Sequence, residues 1–191
     1  MHYLFDVDGV LLKSETWRDY LIMEYGLLPD DTRDFFNGPF QACIVGKADL
    51  HEVLQPFLSG WGISFSVQKF VNIWFEAESD VIESTFNFIE EIAGSADSLS
   101  IATNQEAYRS TYLWENLGLR DFFQKAFVSS DLGVRKPLPT YFQRIQGELG
   151  VEPGQIVFVD DNKANVDAAK AMGWCAVHYR DESSLKDIPR A

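Results

Sequence analysis

The sequence predicts an α/β protein, a Rossmann-like parallel sheet with a small inserted helical module. Apolar runs of strand character recur near residues 2–7, 98–103, 125–129, 155–160 and 174–179. Helical patterns lie between the later runs, and strand alternating with helix argues a parallel sheet covered on both faces. Between the first and second runs lies a stretch of about 85 residues, too long for a simple crossover, with helical patterns and no convincing strand.

The first run, Tyr3, Leu4 and Phe5, passes directly into Asp6, Asp8 and Gly9. Side chains two apart on a strand share a face, so Asp6 and Asp8 can reach one ion. Two such carboxylates are costly to place without a cation, and Mg²⁺ takes oxygen ligands while leaving positions open for phosphate oxygens. Gly9 allows a sharp turn just afterwards. In the long insertion, "TWRDYLIMEYG" and "DLHEVLQPFLSGWG" are helix candidates, with Asp49 and Glu52 spaced as a capping box. Ser66 opens a helix in which Val67, Phe70, Val71 and Trp74 follow i, i+3, i+4, i+7 spacing. A helix from about Asp80, with Ile82, Phe86, Ile89 and Ile92, leads back toward the sheet.

The second strand ends in Thr103 and Asn104, and the third leads to a loop carrying Lys136-Pro137. The fourth ends in Asp160 and Asp161, with a helix after it. The intervening helices are marked by Tyr108, Tyr112 and Leu113 before Gly118, by Tyr141, Ile145 and Leu149 before Gly150, and by Val166, Ala169 and Met172 before Gly173. In parallel sheets ligands bind beyond the carboxyl ends of the strands, and every one of these polar clusters falls at that edge.

This ordered set resembles the haloacid dehalogenase superfamily. The pattern DxDG(V/T)L is matched by Asp6 to Leu11, the Thr/Ser after the second strand by Thr103, the Lys before Pro by Lys136, and the acidic pair after the fourth strand by Asp160 and Asp161. The resemblance implies a helical cap inserted after the first motif, placed at residues 14–83, with residues 1–13 and 84–191 forming the core. It implies Asp6 as a nucleophile that forms an aspartyl-phosphate, with Asp8 as general acid and base. Mg²⁺ is then held by Asp6, Asp8 and Asp161, the backbone carbonyl of Asp8 also touching the metal, while Asp160 acts through water or a hydrogen bond. Thr103, Asn104 and Lys136 meet the transferring phosphoryl group. Asn165, one helical turn beyond Asp161, either braces the site or serves the helix N-terminus; Arg135 reads as a solvated neighbour. The function implied is a Mg²⁺-dependent phosphatase acting on a small phosphate monoester such as a sugar phosphate.

The chain has 46% hydrophobic residues and 16 Lys+Arg against 29 Asp+Glu, a net charge of -13. Nothing in that balance neutralises phosphates in bulk, which disfavours nucleic acid as a partner, and the acidity serves solubility. No run of about 18 apolar residues suggests a membrane span, and no signal peptide is visible at the N-terminus. Cys43 and Cys175 lie far apart, so a reduced, cytoplasmic setting is expected, with both as small core residues. Oligomeric state is not written in the sequence.

Other patterns carry less. Gly46-Lys47 is no phosphate loop, because Gly38 is too distant and Ala48 stands where Ser or Thr is required. His2, His51 and His178 are scattered. Trp17, Trp61, Trp74, Phe35, Phe36 and Phe40 read as core of the insertion, with some lining the cleft. Three alternatives are less favoured. A 2-haloacid dehalogenase typically lacks the second aspartate, and Asp8 is present. A phosphomutase of the β-phosphoglucomutase type carries a hinge histidine, where this chain has Arg18. An inactive binding module would not need intact acidic residues in both motifs.

Overall fold

In the computed structural model, which describes residues 1–13 and 16–190, strands β1 (His2–Phe5), β2 (Ser98–Thr103), β3 (Lys125–Val128), β4 (Ile156–Asp160) and β5 (Cys175–His178) form one sheet. Its order is β3-β2-β1-β4-β5, and every pairing is parallel. The period-2 geometry of strands sorts the apolar side chains. Tyr3, Phe5, Leu99, Ile101, Val157 and Val159 point to one face, which is covered by Phe88, Ile89 and Ile92 of a helix at Glu83–Ile92. Leu4, Ala102, Phe127, Ile156 and Phe158 point to the other. That face is covered by Tyr141, Phe142 and Ile145 of one helix (Pro139–Leu149) and by Val166 and Ala169 of the next (Lys163–Ala171). Because β1 is central and buried on both faces, its run is apolar at successive positions rather than alternating.

Between β1 and the Glu83–Ile92 helix, the chain forms α1 (Thr16–Tyr25), α2 (Pro29–Phe36), α3 (Phe40–Cys43), α4 (Leu50–Gly60) and α5 (Val67–Ala77). These helices share an apolar cluster of their own around Trp17, Phe35, Leu54, Trp61, Phe70 and Trp74. Asp49 accepts from the Glu52 amide at 3.1 Å and Ser66 from the Lys69 amide at 3.3 Å, which starts α4 and α5 where the sequence places them. The sequence patterns did not single out α2 and α3. They are short, and α2 begins through Pro29 with the Asp31 carboxylate accepting from the Leu28 amide at 2.7 Å.

The remaining helices are α6 (Glu83–Ile92), α7 (Ala107–Thr111), α8 (Ser129–Leu132), α9 (Pro139–Leu149) and α10 (Lys163–Ala171). The pattern from Tyr108 to Gly118 is not one regular helix: after α7 it widens into a π-helical turn at Tyr112–Asn116 before Gly118 turns left-handed. Among the described residues, no helix is long and apolar enough to cross a membrane. Cys43 is buried, Cys175 half-buried, and both are free thiols. The start assigned to the inserted module, Ser14, and the side chain of Arg18 lie outside the described residues.

Candidate active site

The carboxyl ends of β1, β2 and β4 bring the sequence motifs together. Asp6 continues the ladder past β1, its amide donating to the Val159 carbonyl at 2.9 Å. That places its side chain beside Asp160, the last residue of β4. Lys136 enters from the loop after α8, 2% exposed, and its Nζ donates to the Asp6 Oδ2 at 2.8 Å, the Asp160 Oδ2 at 2.6 Å and the Ala102 carbonyl at 2.8 Å. All three ammonium hydrogens are therefore used, and the lysine can only point here. Thr103 is buried one residue beyond that carbonyl, at the end of β2.

The acidic residues divide by what their oxygens already hold. Asp6, Asp160 and Asp161 each bring a carboxylate oxygen within 4.8 Å of the others. The Asp160 Oδ1 accepts from the Asn162 amide at 2.8 Å and the Asn165 Nδ2 at 2.9 Å, and its Oδ2 accepts from Lys136 and again from Asn165 at 3.1 Å. A carboxylate offers about four acceptor positions, so Asp160 is fully engaged inside the protein. Asp6, which accepts from the Val7 amide and from Lys136, and Asp161 keep capacity for a further partner. Asn165 serves as a brace on Asp160, while the helix cap falls to Asn162, whose side chain accepts from the Ala164 amide.

Burial raises the proton affinity of Asp6 well above the ordinary carboxylate range; Lys136 opposes this, and Asp160 adds to it. Burial and then Asp160 raise Asp161 in the same direction. Burial alone would lower the pKa of Lys136, but the facing carboxylates Asp6 and Asp160 outweigh it, and its pKa is raised. Three carboxylates against one ammonium leave the edge short of positive charge. An all-oxygen donor set of this kind suits a hard divalent cation such as Mg²⁺.

Three expectations are corrected. The Asp8 side chain does not join the group that can share an ion. It turns to Gln105, whose Nε2 donates to its Oδ2, and to Arg109, whose Nη2 lies 3.6 Å from its Oδ1. The strand ends at Phe5 and the chain bends at Val7, whose carbonyl accepts from the amides of Val10, Leu11 and Leu12, so Asp6 and Asp8 no longer share a strand face. Asn104 does not offer its side chain to a phosphoryl group. Its Nδ2 donates to the Lys136 carbonyl at 3.1 Å and its Oδ1 accepts from the Lys136 amide at 2.9 Å, a two-way clamp that holds the lysine loop. Arg135, read as a solvated neighbour, instead donates to the Gln41 Oε1 in the inserted helices.

Gln105 and Arg109 escaped the sequence reading. Gln105 is 6% and Arg109 3% exposed. The guanidinium donates to the carbonyls of Phe75 at 3.0 Å and Glu78 at 2.6 Å, so one buried cation joins the end of α5 to Asp8. The only available signal was an arginine among the apolar residues Tyr108, Tyr112 and Leu113.

Asp8 faces a cleft of about 550 Å³ between the sheet edge and the inserted helices. Its buried wall comprises Trp17, Leu21, Thr32 and Trp74, with Phe36 half-buried, and Arg33 and Asn37 are exposed at its mouth.

Comparison with known proteins agrees with this construction. Residues 1–173 match the family model of the haloacid dehalogenase-like hydrolases. Flavin mononucleotide hydrolase 1 of Arabidopsis thaliana is 33% identical over 88 residues, 43% of this chain and 36% of that protein. A phosphoglycolate phosphatase of Pectobacterium atrosepticum is 27% identical over 89 residues, 47% of this chain and 38% of that one. The matched segments thus span well under half the length of these two relatives. A haloacid dehalogenase family enzyme of Bacteroides thetaiotaomicron, solved with magnesium and inorganic phosphate, superposes with a TM-score of 0.76 at 17% identity, over 92% of this chain and 91% of that one, which shows a common fold. With the four motifs gathered at one sheet edge and the family pattern matched along most of its length, the chain belongs to the haloacid dehalogenase-like hydrolases.

Proposed function

We propose that this chain is a Mg²⁺-dependent phosphatase that hydrolyses the monophosphate of a small organic alcohol. In this reading α1–α5 act as a cap, residues 14–83, over a core of residues 1–13 and 84–191. The observation that carries the proposal is the Lys136 Nζ held between Asp6 and Asp160 at the edge of the cleft that Asp8 lines. Asp6 is ionised when screened and needs no base to make it a nucleophile. One of its oxygens attacks phosphorus, the P–O bond to the alcohol breaks, and Asp8 gives its proton to the departing alkoxide. Water then attacks the acyl phosphate, Asp8 takes the proton of that water, and the Asp6–phosphorus bond breaks to release inorganic phosphate. Lys136 and Thr103 face the charge on the phosphoryl oxygens. Mg²⁺, held by the Asp6 and Asp161 carboxylates, would supply charge screening between nucleophile and phosphate. Gln105 and Arg109 keep Asp8 turned toward the cleft.

The phosphatases among the relatives and the magnesium and phosphate in the Bacteroides structure support this reading. So does the second aspartate, which the dehalogenase alternative does not need. The two unpaired thiols fit a reduced, cytoplasmic setting. The test is phosphate release from p-nitrophenyl phosphate. Chelation with EDTA should abolish it, Mg²⁺ should restore it, and Asp6→Asn should lose essentially all turnover while remaining folded. Full activity after rigorous chelation, or a wild-type rate in Asp6→Asn, would overturn the proposal.

A further inference from the structure

The cleft that Asp8 lines has rings on its buried side, beside the polar Thr32 and the half-buried Glu78. Trp17 and Trp74 stack on one another, centroids 5.8 Å apart and planes 18° from parallel, and Phe36 meets Trp74 edge-on at 5.5 Å. Leu21 completes this buried side. Two donors of the same wall are already engaged within the protein. The Thr32 hydroxyl donates to the Pro29 carbonyl at 3.4 Å, and the Trp74 Nε1 donates to the Glu78 Oε2 at 2.9 Å. The Trp17 Nε1 is buried without a partner among the described residues. Thus the ring side of the cleft offers a ligand apolar surface and a single unclaimed donor, with the Glu78 carboxylate, which holds the Trp74 indole, beside it. A polyol placed against it would give up hydration at several hydroxyls and regain little, whereas an aromatic or otherwise apolar group gains burial against the rings. The exposed Arg33 and Asn37 stand only at the mouth, where solvent already serves polar groups.

We infer that the leaving alcohol is flat and largely apolar, an aryl-alkyl or similarly unsaturated alcohol, rather than a sugar. This rests on the phosphatase reading above and narrows it: the phosphate sits at Asp6 and Lys136, and the carbon skeleton lies against Trp17, Trp74 and Phe36.

The experiment uses the whole protein with Mg²⁺ and alkyl phosphates, so that intrinsic leaving-group reactivity is matched. The probes are 2-(1-naphthyl)ethyl phosphate and 2-phenylethyl phosphate, set against glycerol 1-phosphate and fructose 1-phosphate. Phosphate release gives kcat and KM, and quenching of tryptophan fluorescence reports binding independently of turnover. The expected result is a KM at least tenfold lower for the two aryl-alkyl phosphates, with quenching by them and little by the polyol phosphates. Phe36→Ala, at a half-buried position that spares the Trp17–Trp74 stack, should raise KM for the naphthyl compound several-fold with a smaller change in kcat. Trp74→Phe, which keeps a ring, should raise it less than Trp74→Ala. Quenching by the aryl-alkyl phosphates without any turnover would uphold the ligand class and overturn the phosphatase reading. Turnover of the polyol phosphates at equal or lower KM would overturn the ligand class and leave the phosphatase reading standing. Neither quenching nor turnover with any probe would overturn both.

Discussion

Gly9 fixes the distance between the first motif and the last. A Cβ built at this position would lie 2.4 Å from the Asp161 Oδ2 and 2.7 Å from its Cγ, and the backbone φ of +78° disfavours any side chain there. Gly9→Ala should push the Asp161 carboxylate away from Asp6 without emptying the core. The expected outcome is a fold that persists, with at least a tenfold rise in the Mg²⁺ concentration giving half-maximal phosphate release. Lys136 makes the complementary case. Removing it leaves Asp6 and Asp160 buried with no cation, a situation that costs about 3–5 kcal/mol. Lys136→Ala should therefore lower the urea midpoint of the metal-free protein. The pH dependence follows from Asp6, whose proton affinity is raised by burial and would rise further without the lysine. A carboxylate with a raised folded-state pKa contributes its stability fully below its unfolded value, about 4, and loses it as pH rises through the folded value. The deficit of Lys136→Ala relative to wild type should thus be smaller at pH 5 than at pH 8, as measured by urea unfolding in EDTA.

At the scale of elements, the strand ends were legible because a parallel sheet concentrates polar residues where apolar runs stop. Asp6, Thr103 and Asp160 sit at such stops, Lys136 lies in the loop that follows β3 and α8, and the capping residues Asp49 and Ser66 announced their helices. What was not legible depends on where side chains turn after leaving a strand. Asn104 follows Thr103 directly, yet its amide folds back onto the Lys136 backbone, a partner 32 residues away that adjacency does not reveal. Asp8 lies two residues from Asp6 but beyond the bend at Val7, where the strand has already ended. Arg109 is a single charge on the short α7, and only the tertiary contact with the end of α5 shows its use. That contact gives a prediction. Charged hydrogen bonds of this kind contribute about 1.5–3 kcal/mol each, and Arg109 makes two to carbonyls of the α5 end while facing Asp8. Arg109→Lys keeps the charge but not the fork, so it should retain most of the stability and lose most of the orientation. The expected outcome is a kcat reduced by at least tenfold with KM changed less, read from phosphate release, and a modest fall in the melting temperature.

Across the whole molecule, 29 acidic and 16 basic residues leave a net charge of -13 that the compact state must hold together against its own repulsion. Salt screens that repulsion over about 10 Å at 0.1 M ionic strength. The melting temperature of the metal-free protein should therefore rise by a few degrees between 10 and 150 mM NaCl, with KCl acting alike; a fall would mean that surface ion pairs outweigh net repulsion. The sheet order has a further consequence. β1, which carries the nucleophile, is flanked by β2 and β4, so His2 pairs with Ser98 on one side and with Ile156 on the other. Every backbone partner of that strand lies roughly a hundred residues or more away along the chain, and long loops must close before any pairing rewards them. The strand that carries the nucleophile is thus the last to be enclosed: during refolding its buried side chains wait, sticky and unpaired, while the helical insertion can consolidate its own aromatic cluster from neighbouring contacts, which makes dilution and low temperature the natural conditions for recovering the protein from urea.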